Sequence, residues 1–197
     1  MEITTSMIKD LREATAAGVL DCKKALEASG GDLEKAKVYL REKGLAAAAK
    51  KAGRPAKEGL VEAYVHAGSR VGALIELNCE TDFVAKTEAF KELAHDLAMQ
   101  IVAIKPLCLA PEDIPPDALE KEKEIHQTQA RDMGKPEHII ERIVEGKLQK
   151  YYQEVCLMRQ PFIKDDELIV QDVLNETVAK LGENIVVRRF VRFELGD

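Results

Sequence analysis

The stretch Arg70-Val71-Gly72-Ala73-Leu74-Ile75-Glu76-Leu77-Asn78-Cys79-Glu80-Thr81-Asp82-Phe83-Val84 decides the architecture, because two structural periods meet within it. Val71, Ala73, Ile75, Leu77 and Cys79 fall on one side of an alternating run, the pattern of a strand with one buried face. At Thr81 the period changes to about 3.6, so that Phe90, Leu93, Ala94, Leu97, Ile101 and Ile104 make one apolar face of a helix. Glu80 to Thr87 is therefore a strand-to-helix junction, and strand-end loops held by a rigid scaffold are where function tends to sit. Thr81-Asp82-Phe83-Val84 is its tip. An aromatic at such a turn is either a lid over the core or an exposed wedge for another protein's pocket, and Phe83 admits both readings.

Outward from this stretch the same two periods organise the rest. Leu60 to His66 alternates like the strand after it, and Ala67-Gly68-Ser69 between them makes a hairpin turn. Pro106 to Pro116 is a loop, and Asp117 with Glu120 makes a capping arrangement for a polar helix running to Met133. Gly134-Lys135-Pro136 then turns the chain into a helix in which Ile140, Val144, Leu148, Tyr151, Val155 and Met158 step by four or three. These two helices form an antiparallel hairpin at 117–158, which either projects from the core or packs as an ordinary pair. Pro161-Phe162-Ile163 reads as a short strand, and Val170, Val173, Thr177 and Leu181 as a helical stripe stopped by Gly182. Asn184 to Leu195 reads as a strand in which Ile185, Val187, Val191, Phe193 and Leu195 alternate with Arg188, Arg192 and Glu194. Strands at 60–66, 70–79 and 184–195 can make one antiparallel sheet, covered on one side by helices at 87–104 and 168–181. The predicted class is α+β.

Residues 4–44 read as three short helices, with stripes Met7, Ile8, Leu11, Ala14, then Val19, Cys22, Leu26, then Leu33, Ala36, Leu40. Ala17-Gly18 and Gly30-Gly31 separate them, Asp32 is placed as an N-cap, and Gly44 ends the third. Leu20 lies off the inward stripe, as a surface residue of no consequence or as part of a contact face. The composition shifts abruptly over Ala46 to Lys57, which holds an alanine run, four basic residues from Lys50 to Lys57 and the first proline, Pro55. The predicted organisation is a three-helix domain at 1–45, a linker at 46–57, and an α+β core at 58–197.

Composition narrows the function. The 197 residues carry a net charge of -6, which argues against nucleic-acid binding, since phosphate neutralisation needs a concentrated basic face. No apolar run approaches the roughly 20 residues that span a bilayer, and Met1-Glu2-Ile3 opens without the basic and apolar regions of a signal peptide. A cytoplasmic protein without membrane contact is expected. Cys22, Cys79, Cys108 and Cys156 show no CxxC pair and no metal-ligand spacing, so buried thiols are expected rather than a zinc site or a disulfide framework. The glycine-loop, metal-cluster and nucleophile motifs of enzymes are missing. Cys79, His66 and Asp82 could be assembled into a triad, but Cys79 falls on the inward face of its strand, where a structural thiol is the commoner case.

Several stretches, in order along the chain, resemble the bacterial elongation factor Ts family, the guanine-nucleotide exchange factors for elongation factor Tu. They are Thr15-Ala16-Ala17-Gly18-Val19-Leu20-Asp21-Cys22-Lys23-Lys24-Ala25-Leu26, then Glu76-Leu77-Asn78-Cys79-Glu80-Thr81-Asp82-Phe83-Val84-Ala85, Gly134-Lys135-Pro136, Ile143-Val144-Glu145-Gly146-Lys147-Leu148, Gln160-Pro161-Phe162-Ile163-Lys164-Asp165 and Arg192-Phe193-Glu194-Leu195-Gly196. The resemblance implies a ubiquitin-associated-like three-helix domain, a linker, an α+β core and a protruding helical hairpin. It implies that Arg12, Val19 and Leu20 contact the GTPase's nucleotide domain, and that Thr81, Asp82, Phe83 and Val84 disturb its magnesium site. Covalent chemistry, a cofactor and direct nucleotide binding are not expected. Family members generally have Gly at the position of Ala16 and often Met at that of Leu20. Short members with a single core subdomain act as homodimers, so a dimer is expected, with an exposed sheet edge as its contact. The alternative is a ubiquitin-associated-like adaptor that holds a translation partner without exchange activity.

Overall fold

The computed structural model describes residues 3–15 and 17–196; the departure at Ala16 lies outside the described residues. The N-terminal helices are α1 (Thr5–Thr15), α2 (Val19–Ala28) and α3 (Leu33–Lys51). Their core is Leu11, Cys22, Ala25, Leu26 and Ala36, with Met7, Ile8, Leu33 and Leu40 packed around it. Gly30 and Gly31 end α2 at φ 61° and 85°, a backbone conformation that disfavours other residues. Asp32 caps α3 as predicted: its Oδ1 accepts from the amides of Glu34 and Lys35 at 3.0 and 3.1 Å. The backbone N–H of Lys35 is the main reason the Asp32 carboxyl sits below its usual range.

Gly44 does not end the third helix. Alanine has the highest helix propensity, and Ala46 to Ala49 carry α3 on to Lys51. The same stretch lies along α8 (Val170–Leu181): Arg41 pairs with Asp172, Lys51 Nζ donates to the Val178 carbonyl at 3.4 Å, and a Cβ on Gly44 would lie 3.6 Å from Ala179. The predicted linker thus begins in helix, and only Ala52 to Lys57 is irregular.

The sheet has the order β1 (Glu58–Val65), β2 (Val71–Cys79), β5 (Val186–Glu194), antiparallel as predicted. Gly59 passes so close to β2 that a Cβ would fall 2.1 Å from the Leu77 carbonyl oxygen. In β2, Ala73, Ile75, Leu77 and Cys79 are buried, as their alternation requires. After β2 come α4 (Asp82–Ala85) and α5 (Glu88–Ile104), then the hairpin of α6 (Pro116–Asp132) and α7 (Glu137–Val155). A two-residue strand β3 (Pro161–Phe162) pairs with β4 (Asp165–Ile169). β4 has no alternation in Asp165-Asp166-Glu167-Leu168-Ile169, and the sequence reading missed it.

Three other expectations are corrected. Pro115 occupies the N-cap of α6, with Asp117 inside its first turn rather than capping it. The inward stripe of α8 is Val170, Leu174 and Val178, one position away from Val173 and Thr177. In β5 the alternation slips by one where Arg188 and Arg189 are both exposed, so Val187 is buried but Val191, Phe193 and Leu195 face outward.

By compactness the chain forms two units: Met1–Val61, Glu76–Ala94 and Asp172–Arg188 make one, and Glu62–Ile75, His95–Gln171 and Arg189–Asp197 the other. The division at 1–45, 46–57 and 58–197 is retained as a proposal. In the second unit α5 lies on the sheet: His95 Nδ1 meets Glu62 Oε1 at 2.9 Å, the Tyr64 ring stands edge-on to His95, and Arg192 donates to the Val102 carbonyl. The hairpin has a seam of its own, Ala130, Ile140, Val144 and Leu148, with Leu119, Ile143 and Tyr152 packed against it. Buried Gln100 joins α5 to the segment after α7: its Nε2 donates to Gln160 Oε1 and the Pro161 carbonyl, and its Oε1 accepts from the Ile163 amide at 2.8 Å. Gln100→Ala removes all three bonds at a fully buried side chain and leaves the Pro161 carbonyl and Ile163 amide, both part-buried, without these partners. The unfolding free energy measured in urea is expected to fall by roughly 2–4 kcal/mol.

Candidate functional site

The predicted tip forms where the sheet ladder stops. Thr81 is extended, with φ −130° and ψ 155°, and the next four residues close the single turn of α4. Ala85 is buried and Val84 half-buried, so these two anchor the turn. Phe83 points the other way and is 79 % exposed. Of the two readings open for this aromatic, the exposure rules out the lid over the core. Asp82 is exposed beside it, its Oδ2 2.6 Å from Lys86 Nζ, and this ammonium holds the carboxyl below the usual carboxylate range.

Thr81 stands at the N-cap of α4, yet its hydroxyl makes no capping bond. It donates instead to Glu183 Oε1 at 2.6 Å. The other oxygen of Glu183 accepts from the amides of Glu80 and Thr81 at 3.1 and 3.0 Å. Glu80 answers in the opposite direction: its Oε1 accepts from the Asn184 amide at 2.7 Å and lies 3.5 Å from Arg54 Nη1. Asn184 Nδ2 in turn donates to the Arg54 carbonyl. Glu183, Asn184 and Arg54 were not anticipated as parts of this site. The only sequence signal for them is that Gly182-Glu183-Asn184 lies between a helix stop and a strand start.

On the N-terminal module, Arg12 is exposed on α1. Val19 and Leu20 open α2 and are also exposed, Leu20 at 71 %. Val19 therefore leaves the inward stripe assigned to it and joins Leu20 at the surface, while Cys22, Ala25 and Leu26 stay inside.

The triad is not assembled as a hydrolase needs. Cys79 is fully buried, and its thiol donates to the Thr81 carbonyl at 3.1 Å. Burial, reinforced by the Glu183 charge, pushes this thiol up to about 11. Asp82 is paired with Lys86, and His66 Nδ1 lies 3.1 Å from the Tyr64 hydroxyl. Among the described residues no group of three or more His, Cys, Asp or Glu gathers to hold a metal, and no helix is long and apolar enough to cross a membrane.

Residues 6–197 match the family model described as Elongation factor TS. A protein named Elongation factor Ts from Desulforamulus reducens is 61% identical over 100% of this chain and 90% of its own length. Those of the same name from Carboxydothermus hydrogenoformans and Thermotoga petrophila are 60% and 58% identical, covering 99% and 100% of the chain and 90% and 98% of their own lengths.

A thiol with a raised pKa and no access to solvent is a poor nucleophile. Cys79 is expected to resist iodoacetamide in the native protein at pH 7.5 and to be alkylated in denaturant, as read by peptide mass spectrometry.

Proposed function

The chain belongs to the elongation factor Ts family, which are translation elongation factors, and from that premise we propose that it is a guanine-nucleotide exchange factor. It binds elongation factor Tu carrying GDP and promotes GDP release so that GTP can rebind. The observation that carries this reading is the exposed Phe83 on a turn whose backbone is fixed from both sides. Mg²⁺ demands near-ideal octahedral geometry at about 2.0–2.1 Å, so an aromatic wedged beside its ligands weakens its hold by a small displacement. Without the ion, phosphate charge is no longer neutralised and GDP leaves. Asp82 already has Lys86 as counter-ion, which favours a steric role for Phe83 over direct metal capture by Asp82. Val84 seats the turn, and Thr81 sets its direction.

Arg12, Val19 and Leu20 supply a second contact to the GTPase: an exposed apolar pair with a cation on the neighbouring helix. The two contacts divide the work. One holds the partner, and the other deforms it. Because coupling between ligands is reciprocal, the nucleotide that the factor loosens must also expel the factor when it rebinds. No bond is made or broken, and the place of action is the cytoplasm.

The factor is proposed to work as a homodimer. Its contact is the outer face of the sheet rather than the edge, since Val65, Leu74, Val191, Phe193 and Leu195 are all exposed there. An apolar face of this kind is rarely left bare on a monomer. A second copy offers the same face, and a two-fold axis closes the pair.

Phe83→Ala is expected to slow stimulated GDP release from elongation factor Tu by at least about tenfold, because buried aromatic anchors dominate interface energies. The melting temperature should stay within about 2 °C, as for other surface substitutions. Stopped-flow release of a fluorescent GDP analogue measures the first. A wild-type protein that binds the GTPase without speeding release would leave the adaptor alternative standing. Phe193→Glu should convert the dimer into a monomer in sedimentation equilibrium; an unchanged dimer would return the contact to the edge.

A further inference from the structure

We propose that Glu183 is the positioning residue of the exchange tip, holding Phe83 outward through the backbone of Glu80 and Thr81 without touching the GTPase itself. The inference rests on the exchange reading above and goes beyond it, since it assigns a role to a residue 100 positions from Phe83 in sequence.

The geometry is specific. One carboxylate satisfies three donors in succession along the junction: the Glu80 amide, the Thr81 amide and the Thr81 hydroxyl. An ionised carboxylate is acceptor-only and makes stronger hydrogen bonds than a neutral group, so it suits this set of donors. The Thr81 hydroxyl would ordinarily bond an amide inside its own helix. Here its proton goes to Glu183 and its oxygen accepts from no α4 amide, so the four residues of α4 have no side-chain cap of their own. A helix this short has little stability in isolation. Its orientation is therefore set by the attachment at Thr81 and by the burial of Ala85, with Phe83 between them.

The attachment is also braced from below. Glu80 accepts from the Asn184 amide next to Glu183, so the two segments are tied by bonds running in both directions. Asn184 holds the Arg54 carbonyl, and Arg54 reaches back to Glu80. Rotation of the tip would have to break several bonds together. A wedge that must deform a metal site needs such support, because a turn free to swing would yield before the partner did.

The test compares Glu183→Ala, Thr81→Val and the double variant in the full chain. For Glu183→Ala the maximal rate of GDP release at saturating factor should fall about tenfold or more. The concentration giving half-maximal release should change by less than about threefold, because the contact through Arg12, Val19 and Leu20 is untouched. Thr81→Val should show a smaller fall, and the double variant should be no worse than Glu183→Ala, since both act through one junction. Hydrogen exchange gives a readout independent of activity: the amides of Glu80 and Thr81 should lose protection in Glu183→Ala while those of Leu93 to Ile101 keep it. A Glu183→Ala protein with the wild-type maximal rate overturns the proposal. So does one whose core amides lose protection together with the tip, which would make Glu183 a general stability residue. If the wild-type protein itself fails to accelerate release, the exchange reading falls first and the positioning role falls with it; an intact wild-type rate with an intact variant rate removes only the latter.

Discussion

Where a strand leaves a sheet and becomes a helix, its last amides lose their ladder partners before any helical partner exists. Buried or half-buried amides must be paired, so something outside both elements has to supply an acceptor. At Glu80 and Thr81 that acceptor is Glu183, and the rest of the first unit follows from its placement. The turn carrying it must end α8 and start β5 at a fixed point, so the end of α8 cannot drift. α3 then lies along α8 through Arg41 and Lys51. The N-terminal module and the tip thus share one support.

The second unit solves the same problem with neutral groups. The segment leaving α7 passes through the two-residue strand β3, whose pairing with β4 is broken between Pro161 and Phe162, and buried Gln100 and Gln160 provide donors and acceptors along it. Gln160 also donates to the Glu154 carbonyl, and its own carbonyl accepts from the Val170 amide. An amide suits a site that needs both donors and acceptors, whereas three donors converging on one place call for a carboxylate. The difference between Gln100 and Glu183 is therefore a difference in what each junction lacks.

What could be read in the sequence was whatever depends on neighbours along the chain. The period of two in Val71 to Cys79, the period near 3.6 in α5 and the Asp32 cap are local, and they appear in the structure as read, save that Ile104, the last residue of the α5 stripe, is exposed at the helix end. Gly44 misled because glycine stops a helix only when nothing beyond it favours continuing, and here alanines and the docking on α8 do. The slip at Arg188-Arg189 was invisible because both alternations of β5 place apolar residues on a plausible face. At the tip the position of Phe83 was legible and its exposure was not, since exposure depends on whether the turn faces the core. The partners of Thr81 were not legible at all, because Glu183 has no pattern of its own.

An exposed phenylalanine is a liability unless it is prevented from folding back onto the nearest apolar surface. Collapse would bury its ring on the protein's own flank, with a gain of order 1–2 kcal/mol at about 25 cal/mol per Å². It would also require α4 to rotate about Thr81. That rotation breaks charge-assisted bonds to Glu183 whose donors would then be left unpaired in a part-buried site, and each such loss is comparable with the whole apolar gain. The balance keeps the ring in solvent. The same electrostatic contacts that complete an interrupted sheet are thus what leave a hydrophobic side chain exposed, and the fold's local remedy for two unpaired amides is what the proposed exchange role draws on.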